Sequence, residues 1–175
     1  MQARSSIDRF GAVAVVIHWL SVIVVFALLG SGLAADRADG SMAKAAILKF
    51  HAPLGGLILL LTLIRIVWWL TVDRKPPALP APGWQVSSAR LIHALFYIVL
   101  LGMAASGIGM YVLSGAGSIV FEGGSGSLPD FWSYAPRVPH SLGSKLLMAL
   151  IVMHAGAALY HQFVVKDGLL KRMWF

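Results

Sequence analysis

Six histidines are the residues of this sequence best suited to chemistry, because an imidazole can bind a metal, carry a proton or accept a hydrogen bond. Each lies within or at one end of a long apolar stretch, and they are His18, His51, His93, His140, His154 and His161. An ionisable side chain is costly inside a lipid-embedded helix and is a functional hypothesis by default. A structural hydrogen bond is an equal alternative for any one of them, but six together indicate a shared function.

The spacing of the last three histidines places ligands at two heights on one helix face. His140 and His154 are 14 residues apart, which is almost four helical turns and about 21 Å along the axis. His161 follows seven residues later on nearly the same face. A single helix therefore offers one ligand at each of two levels.

The other residue types favour haem as the cofactor. The chain has no cysteine, which excludes disulfides, iron–sulfur clusters and thiolate ligation, and Glu122 is its only glutamate. The apolar stretches contain no acidic residue, which disfavours a carboxylate di-iron site or a carboxylate-based proton pump. Paired imidazoles suit haem iron better than structural zinc. We therefore expect two b-type haems with two histidines each; the alternative is a histidine-lined transporter or metal permease.

Composition indicates that these residues are positioned within a bilayer. Of the 175 residues, 58% are hydrophobic and 12% charged, which leaves too little polar surface for a soluble protein of this size. A spanning helix needs about 20 apolar residues, and four stretches qualify: 10–34, 48–72, 91–113 and 140–165. We expect one all-α domain over residues 1–175, an integral membrane four-helix bundle with haems in its interior.

The first stretch is too long for the apolar part of a signal peptide and is predicted to be retained.

The connections between the predicted spans differ in character. Residues 36–49 form a short polar linker, and residues 73–90 contain four prolines and are predicted to be extended. Residues 114–139 form the longest loop, rich in glycine and aromatic residues. This third loop either caps a site at the membrane surface or is a flexible connector.

Basic residues predict the direction of the chain. Eight lysines and arginines fall on the side of both termini and five on the other side, which favours cytoplasmic termini in a bacterial inner membrane. The net charge of +7 is thereby attributed to membrane-flanking loops and not to nucleic acid binding.

Depth within the membrane then sorts the histidines into pairs. His51 and His140 open the second and fourth spans near the outer face. His18 and His154 lie about 12 and 16 Å from the inner ends of their spans. The predicted metal ligands are therefore His51 with His140 and His18 with His154. His93 lies closer to the inner surface. The alternative that His93 and not His18 is the inner ligand beside His154 is left open.

Charged and small residues near these levels are candidates for contact with the cofactor. Arg65, a charge deep within the second predicted span, either pairs with a haem propionate or snorkels to the interface. Arg90 and Lys145 are further candidates for propionate pairing. Small residues that could admit a flat porphyrin are equally explained by close helix packing; they are Gly55, Gly56, Gly102, Gly107, Gly143 and Gly156.

Four stretches around the histidines carry a family pattern. They read RFGAVAVVIHWL, FHAPLGGLILLLTLIRIVWWL, ARLIHALFYIVLL and HSLGSKLLMALIVMHAGAALYHQFVVKDGLLKRM. Together they resemble, over nearly the whole chain, the bacterial cytochrome b561 family of four-helix di-haem membrane proteins. The resemblance implies the same two ligand pairs, and it implies that His161, with His93, lines a quinone pocket or bonds a propionate. Ala52 and Gln162 depart from the pattern, where many members carry lysine and a second histidine, and both departures bear on the substrate.

The resemblance implies transmembrane electron transfer. A one-electron donor, superoxide in at least one type of member, would act at the outer face, and ubiquinone would accept the electron. The chain is then expected to be an oxidoreductase in which the haems carry the chemistry and no side chain is catalytic. Lys49, Arg137 and Lys145 would attract superoxide, although nearby acids offset them. Lipid, quinone and the donor are the expected partners; the alternative is an electron-transfer subunit whose third loop docks a periplasmic redox protein.

Overall fold

The chain is built of helices that are long enough to cross a membrane. A computed structural model describes residues 2–122 and 126–174, and within them four helices are long and apolar enough to span a bilayer. They are α1 (Ala12–Arg37), α2 (Ser41–Thr71), α3 (Gly83–Ser114) and the stretch Arg137–Val165, which consists of α5 (Arg137–Tyr160) and a π-helical turn (His161–Val165); a short helix, α4 (Ala116–Phe121), follows α3. The predicted all-α membrane bundle is confirmed.

Two helices begin earlier than hydropathy predicts. α2 begins at Ser41 and not at residue 48, after a turn at Gly40 whose φ is 85°. α3 begins at Gly83 and not at residue 91, so the prediction of an extended segment through residue 90 is wrong beyond Pro82. Hydropathy marks the part of a helix that lies in hydrocarbon, about 30 Å, whereas helices of 31 and 32 residues extend over about 47 Å.

The predicted third loop is partly helical. Besides α4 it contains a 3-10 turn at Phe131–Ser133, and the backbone N–H of Leu128 donates to Ser41 Oγ. Residues 123–125 of this loop lie outside the described residues. Its second half is thus tied to the start of α2.

An aliphatic layer separates the two levels of histidines. α1 packs along α2, α3 packs along α5, and α2 joins the two pairs by packing on α3. The core lies where they meet, and its buried members are Val24, Val25, Ile58, Leu61, Val99, Leu147 and Leu150. Leu147 lies seven residues from both His140 and His154. The core is therefore at mid-height, between the histidine levels.

Large apolar side chains also face outward along the helices. Ile23, Leu70 and Val152 are 66%, 78% and 71% exposed. Apolar surface on this scale is incompatible with water and is normal against lipid tails. The bundle is thus shaped for lipid on its outside and for packing only at its centre.

Both chain ends fold together at one end of the bundle. Trp19 Nε1 donates to the Met173 carbonyl at 2.9 Å. The buried Arg172 guanidinium donates to the carbonyls of Asp8 and Pro77, each at 2.9 Å. We call residues 2–11, 73–79 and 169–174 the terminal cap, the end of the bundle that carries it the terminal end, and the other end the opposite end.

Asp73 fixes the first residues of the chain within the terminal cap. Its carboxylate accepts from the Ser5 N–H at 3.0 Å, the Ser5 hydroxyl at 2.8 Å and Trp68 Nε1 at 3.3 Å. Burial acts to raise the pKa of Asp73, but the hydrogen bonds from Ser5, Arg74 and Trp68 outweigh it and hold the pKa below its usual value. The ionised carboxylate is therefore the form that holds the cap.

Asp73→Asn is expected to release residues 2–11. The amide loses an acceptor oxygen and leaves Ser5 donors unpaired, at a cost of about 1–3 kcal/mol. Hydrogen exchange of the amides around Ser5 measures the release.

The same contact should depend on pH. Since the pKa of Asp73 is lowered in the folded protein, its stabilisation of the cap is complete above about pH 4 and is lost as the pH falls through the folded pKa. Asp39→Asn, at an exposed acid of the opposite end, is the control, and equal exchange in both variants contradicts the assignment.

Candidate functional site

The imidazole rings meet in two pairs that share one geometry. The centroids of His51 and His140 are 6.3 Å apart with the rings inclined at 66°. The centroids of His18 and His154 are also 6.3 Å apart, with an inclination of 67°. One ring of each pair comes from the α1–α2 pair of helices and the other from α5. The structure therefore brings together the two pairs that were predicted from the expected depth of each histidine in the membrane.

The spacing within each pair suits an iron between the rings. A metal–imidazole bond is about 2 Å long, and the ring centre lies about 1 Å further, so two imidazoles on opposite faces of one haem iron have centroids about 6 Å apart. Both observed distances meet this requirement. These four histidines fit two bis-histidine haems.

The hydrogen bonds of His140 fix which of its nitrogens is available. Its Nδ1 lies 3.1 Å from the Met103 carbonyl oxygen and 3.0 Å from Ser106 Oγ. A carbonyl only accepts, so Nδ1 is the protonated donor. The lone pair of Nε2 is left to bind a metal, as in metal sites whose histidines are oriented through the other nitrogen.

His51 is held in the same tautomer by a different helix. Its Nδ1 lies 2.9 Å from Ser31 Oγ. The single Ser31 hydroxyl proton is donated to the Ala27 carbonyl at 2.7 Å, so the serine oxygen accepts from His51 Nδ1. Nε2 of His51 is again the free nitrogen.

A glycine beside each of these serines makes room for the ring. A Cβ added at Gly32 would lie 3.3 Å from His51 Cε1, and one added at Gly107 would lie 3.5 Å from His140 Cε1. The sequence repeats Ser-Gly at 31–32 and 106–107, but nothing in it says which histidine each pair contacts. A cradle of one serine and one glycine therefore serves each opposite-end histidine.

The glycines predicted to admit a porphyrin have mixed surroundings. Gly107 contacts the His140 ring, and a side chain at Gly143 would overlap the Met103 sulfur. An added Cβ would meet nothing within 4 Å at the remaining four, which are Gly55, Gly56, Gly102 and Gly156. At those four positions close helix packing does not explain the glycine.

The terminal-end pair has a cation where the other pair has serines. Arg65 NH1 lies 3.5 Å from His18 Nδ1, and Arg65 Nε is buried without a hydrogen-bond partner among the described residues. A histidine that binds metal through Nε2 carries its proton on Nδ1, so two donors face one another there. An anionic group such as a propionate, accepting from both, fits this position.

The ring of His93 lies beside that of His154, and the two rings are not separated by the distance seen in the two pairs above. Their centroids are 5.3 Å apart, an ångström less than in either pair described above. The His93 ring meets His154 edge to face and is exposed. The geometry favours His18 over His93 as the partner of His154.

His161 contacts a residue that sequence reasoning missed. Its Nδ1 lies 2.5 Å from Asp167 Oδ2. Asp167 lies beyond the spans, where an acid gives no hydropathy signal of a role. His161 is thus half of a histidine–carboxylate dyad.

Three further cations are placed as follows. Arg90 and Lys145 are exposed, so nothing in their surroundings distinguishes them as anion partners. Lys75, which sequence reasoning also missed, has its Nζ 5.7 Å from the centre of the Trp69 ring. Burial, with Arg65 nearby, lowers the pKa of Lys75. Positive charge therefore gathers near the terminal-end pair.

Comparison with known proteins identifies related sequences over the whole chain. A family model described as prokaryotic cytochrome b561 matches residues 9–175. Cytochrome b561 homolog 2 of Escherichia coli is 29% identical, over 99% of this chain and 95% of that protein. Cytochrome b562 of Cereibacter sphaeroides is 31% identical, over 70% of this chain and 65% of that protein. A Yersinia pestis protein named "Probable superoxide oxidase CybB" is 27% identical, over 94% and 95% of the two chains.

Ser106→Ala is expected to loosen the cofactor of the opposite-end pair. Without the hydroxyl, His140 is held only through Met103, and loss of such an orienting group typically weakens metal binding about 10–100-fold. Transfer of haem to a scavenging apoprotein measures the loss. Ser31→Ala should act likewise through His51.

Ser21→Ala is the matched control for both serines. Ser21 bonds only the carbonyl of its own helix, at Ile17, so its removal should leave haem transfer unchanged. Equal rates in all three variants would contradict the orienting role.

Proposed function

The chain belongs to the prokaryotic cytochrome b561 family, and on that basis we propose that it carries electrons across the bacterial inner membrane through two haems b. Membership makes it a multi-pass bacterial membrane protein and a b-type cytochrome of electron transfer. The observation that carries the proposal is the common 6.3 Å spacing of two histidine pairs at different heights. Family membership also favours electron transfer over the transporter alternative.

Each histidine pair would hold one haem. His51 and His140 would bind it through Nε2 at the opposite end, and His18 and His154 would bind the other at the terminal end. When bound, the haems supply the one-electron carriers of the protein. With two histidines holding each iron, the donor and the acceptor would exchange electrons without binding to the metal.

Arg65 and Lys75 pair with propionates at the terminal end. The buried Arg65 Nε lacks a partner among the described residues, and a buried cation needs an anion. Lys75 lies close enough to Arg65 for the two charges to repel. Propionate carboxylates would satisfy both cations and the Nδ1 proton of His18.

Superoxide is the proposed donor, and ubiquinone the proposed acceptor. With cytoplasmic termini, the donor meets the opposite end and the quinone meets the terminal end near His161. The superoxide donor is supported by the name of the Yersinia pestis relative. Arg137 is engaged by Asp36 at 2.9 Å, so the exposed Lys49 and Lys145 are the stronger attractors of an anion.

A redox protein at the opposite end is the second candidate donor. Trp132 is 59% exposed, and its ring lies 4.7 Å beneath the Arg137 guanidinium. Exposed tryptophan and arginine are typical anchors of protein interfaces. The part of the third loop around Phe131–Ser133 would form this docking surface.

Haem content after substitution tests the ligand pairs. We expect two haems b per chain in a pyridine haemochrome assay. Substitution of alanine for His51 or His140 should remove one haem, and the same change at His18 or His154 should remove the other. His93→Ala is the control and should retain both. Loss of a haem from that control, with full content in His18→Ala, would reverse the assignment at the terminal end.

Rapid mixing separates the two donors. Purified holoprotein in detergent should be reduced by superoxide and reoxidised by a short-chain ubiquinone. His161→Gln should retain both haems and reoxidise slowly. Failure of superoxide to reduce the haems, together with recovery of a stoichiometric redox protein that Trp132→Ala abolishes, would favour the subunit.

A further inference from the structure

Two arginines in the described part of the chain have a buried Nε atom that lacks a hydrogen-bond partner. One is Arg65, beside the terminal-end histidine pair, and the other is Arg137, at the opposite end. A charged donor that is buried without an acceptor is costly, because it has lost its hydrogen bonds to water. The described residues do not supply an acceptor for Nε of Arg137, so a ligand with acceptor oxygens fits beside it.

Neighbouring side chains hold the guanidinium of Arg137 in place. Its Nη2 donates to Asp36 Oδ1 at 2.9 Å. The ring of Trp132 covers one face of the guanidinium, with its centre 4.7 Å from Cζ. The Arg137 side chain is 22% exposed. One amino group is therefore occupied and one face is covered, while Nε remains a fixed and buried donor.

The ion pair of Arg137 and Asp36 lies about one helical turn beyond the opposite-end histidine pair. Arg137 is the first residue of α5 and precedes His140 by three positions, on the same side of the helix and about 4.5 Å nearer the opposite end. Asp36 follows Gly32, which contacts the His51 ring, by four positions in α1. The ion pair therefore joins α1 to α5 on the outer side of the two rings.

A haem held between these rings would direct its propionates toward the ion pair. The propionates are the charged groups of a haem, and charge is costly in hydrocarbon. The aliphatic core, with Leu147 and Leu150, lies on the inner side of the rings, so the polar surroundings are on the side of Arg137. Arg137 is also close enough to His140 for its charge to act on the ring. The unpartnered donor and the propionates would thus meet on the same side of the site.

We propose that Arg137 anchors the opposite-end haem by donating a hydrogen bond from Nε to a propionate, while Asp36 offsets the charge of the same guanidinium. The inference rests on the proposed function and adds a binding residue to it. A charge-assisted bond of this kind belongs to the stronger class of hydrogen bonds, and it gives the buried donor its acceptor. Lys145, which sequence reasoning considered for propionate pairing, is exposed, whereas Nε of Arg137 is buried.

Arg137→Gln tests the anchor in the purified holoprotein, and the haem that remains in His18→Ala identifies the opposite-end site. A propionate bending band in the resonance Raman spectrum should shift, because the propionate loses its donor. The midpoint potential of the opposite-end haem should fall, since removal of a nearby positive charge disfavours the added electron. Transfer of this haem to a scavenging apoprotein should be at least about 10-fold faster.

Two further variants separate the anchor from a general charge effect and from a brace between helices. Arg37→Gln removes the same charge from an exposed residue next to Asp36, and it should leave the propionate band and the rate of haem transfer unchanged. Asp36→Asn breaks the ion pair but keeps the Nε donor. It should therefore keep the band and raise the midpoint potential, opposite to the effect of Arg137→Gln.

The outcomes separate this inference from the proposed function. A wild-type band and transfer rate in Arg137→Gln, or the same changes in Arg37→Gln, overturns the anchor and leaves electron transfer through two haems standing. A lowered potential in Asp36→Asn, with the band shifted as in Arg137→Gln, shows that the ion pair only braces the helices and also overturns the anchor. Absence of the opposite-end haem from the wild type refutes both.

A conservative variant decides the matter if Arg137→Gln loses the opposite-end haem altogether. Arg137→Lys keeps the positive charge for Asp36 but has no Nε donor. A shifted propionate band with both haems present supports the anchor, and a wild-type band overturns it.

Discussion

The need to satisfy both nitrogens of an imidazole inside a bilayer governs this structure. No water is available in hydrocarbon, so each polar group must find a partner within the protein or on a ligand. At the opposite end the chain provides only one: Ser31 accepts from Nδ1 of His51, and Met103 with Ser106 accepts from Nδ1 of His140. The ring centres are 6.3 Å apart, a separation that suits a metal between the rings. The serines and the neighbouring glycines support this arrangement of the rings, and under the proposed function haem iron would complete it.

The two ends differ in the charges that surround their histidine pairs, and under the proposed function this difference would favour one direction of electron flow. At the opposite end Arg137 is neutralised by Asp36, and the histidines are held by uncharged groups. At the terminal end Arg65 and Lys75 lie close to the histidine pair. Positive charge stabilises the reduced form of a nearby haem. Under the proposed function, Arg65 and Lys75 would therefore favour passage of electrons from the opposite end to the terminal end.

Sequence reasoning predicted the spans and the depth of each histidine, and it missed most of the contacts that arise only from packing between helices. Hydropathy located all four spans, and the interval of 14 residues grouped His140 and His154 with partners that the fold does bring near. It misplaced the starts of α2 and α3, since helices continue beyond the hydrocarbon. It also missed Ser31, whose partner His51 lies 20 positions away on another helix, because such a pairing arises only from packing. Asp167 was missed because it lies just outside the last predicted span, where hydropathy gives no signal of a functional acid.

The aliphatic layer at mid-height determines how charge crosses the membrane. Its members, such as Leu147 and Leu150, cannot carry a proton, so under the proposed function only electrons would pass between the histidine levels. With the terminal end in the cytoplasm, as proposed, each inward electron would make that side more negative. This would strengthen the existing membrane potential, against which a full crossing costs about 2.3 kcal/mol per charge for each 100 mV. The acceptor must therefore hold its electron more tightly than the donor by at least that amount, which is what a cation-rich terminal-end site favours.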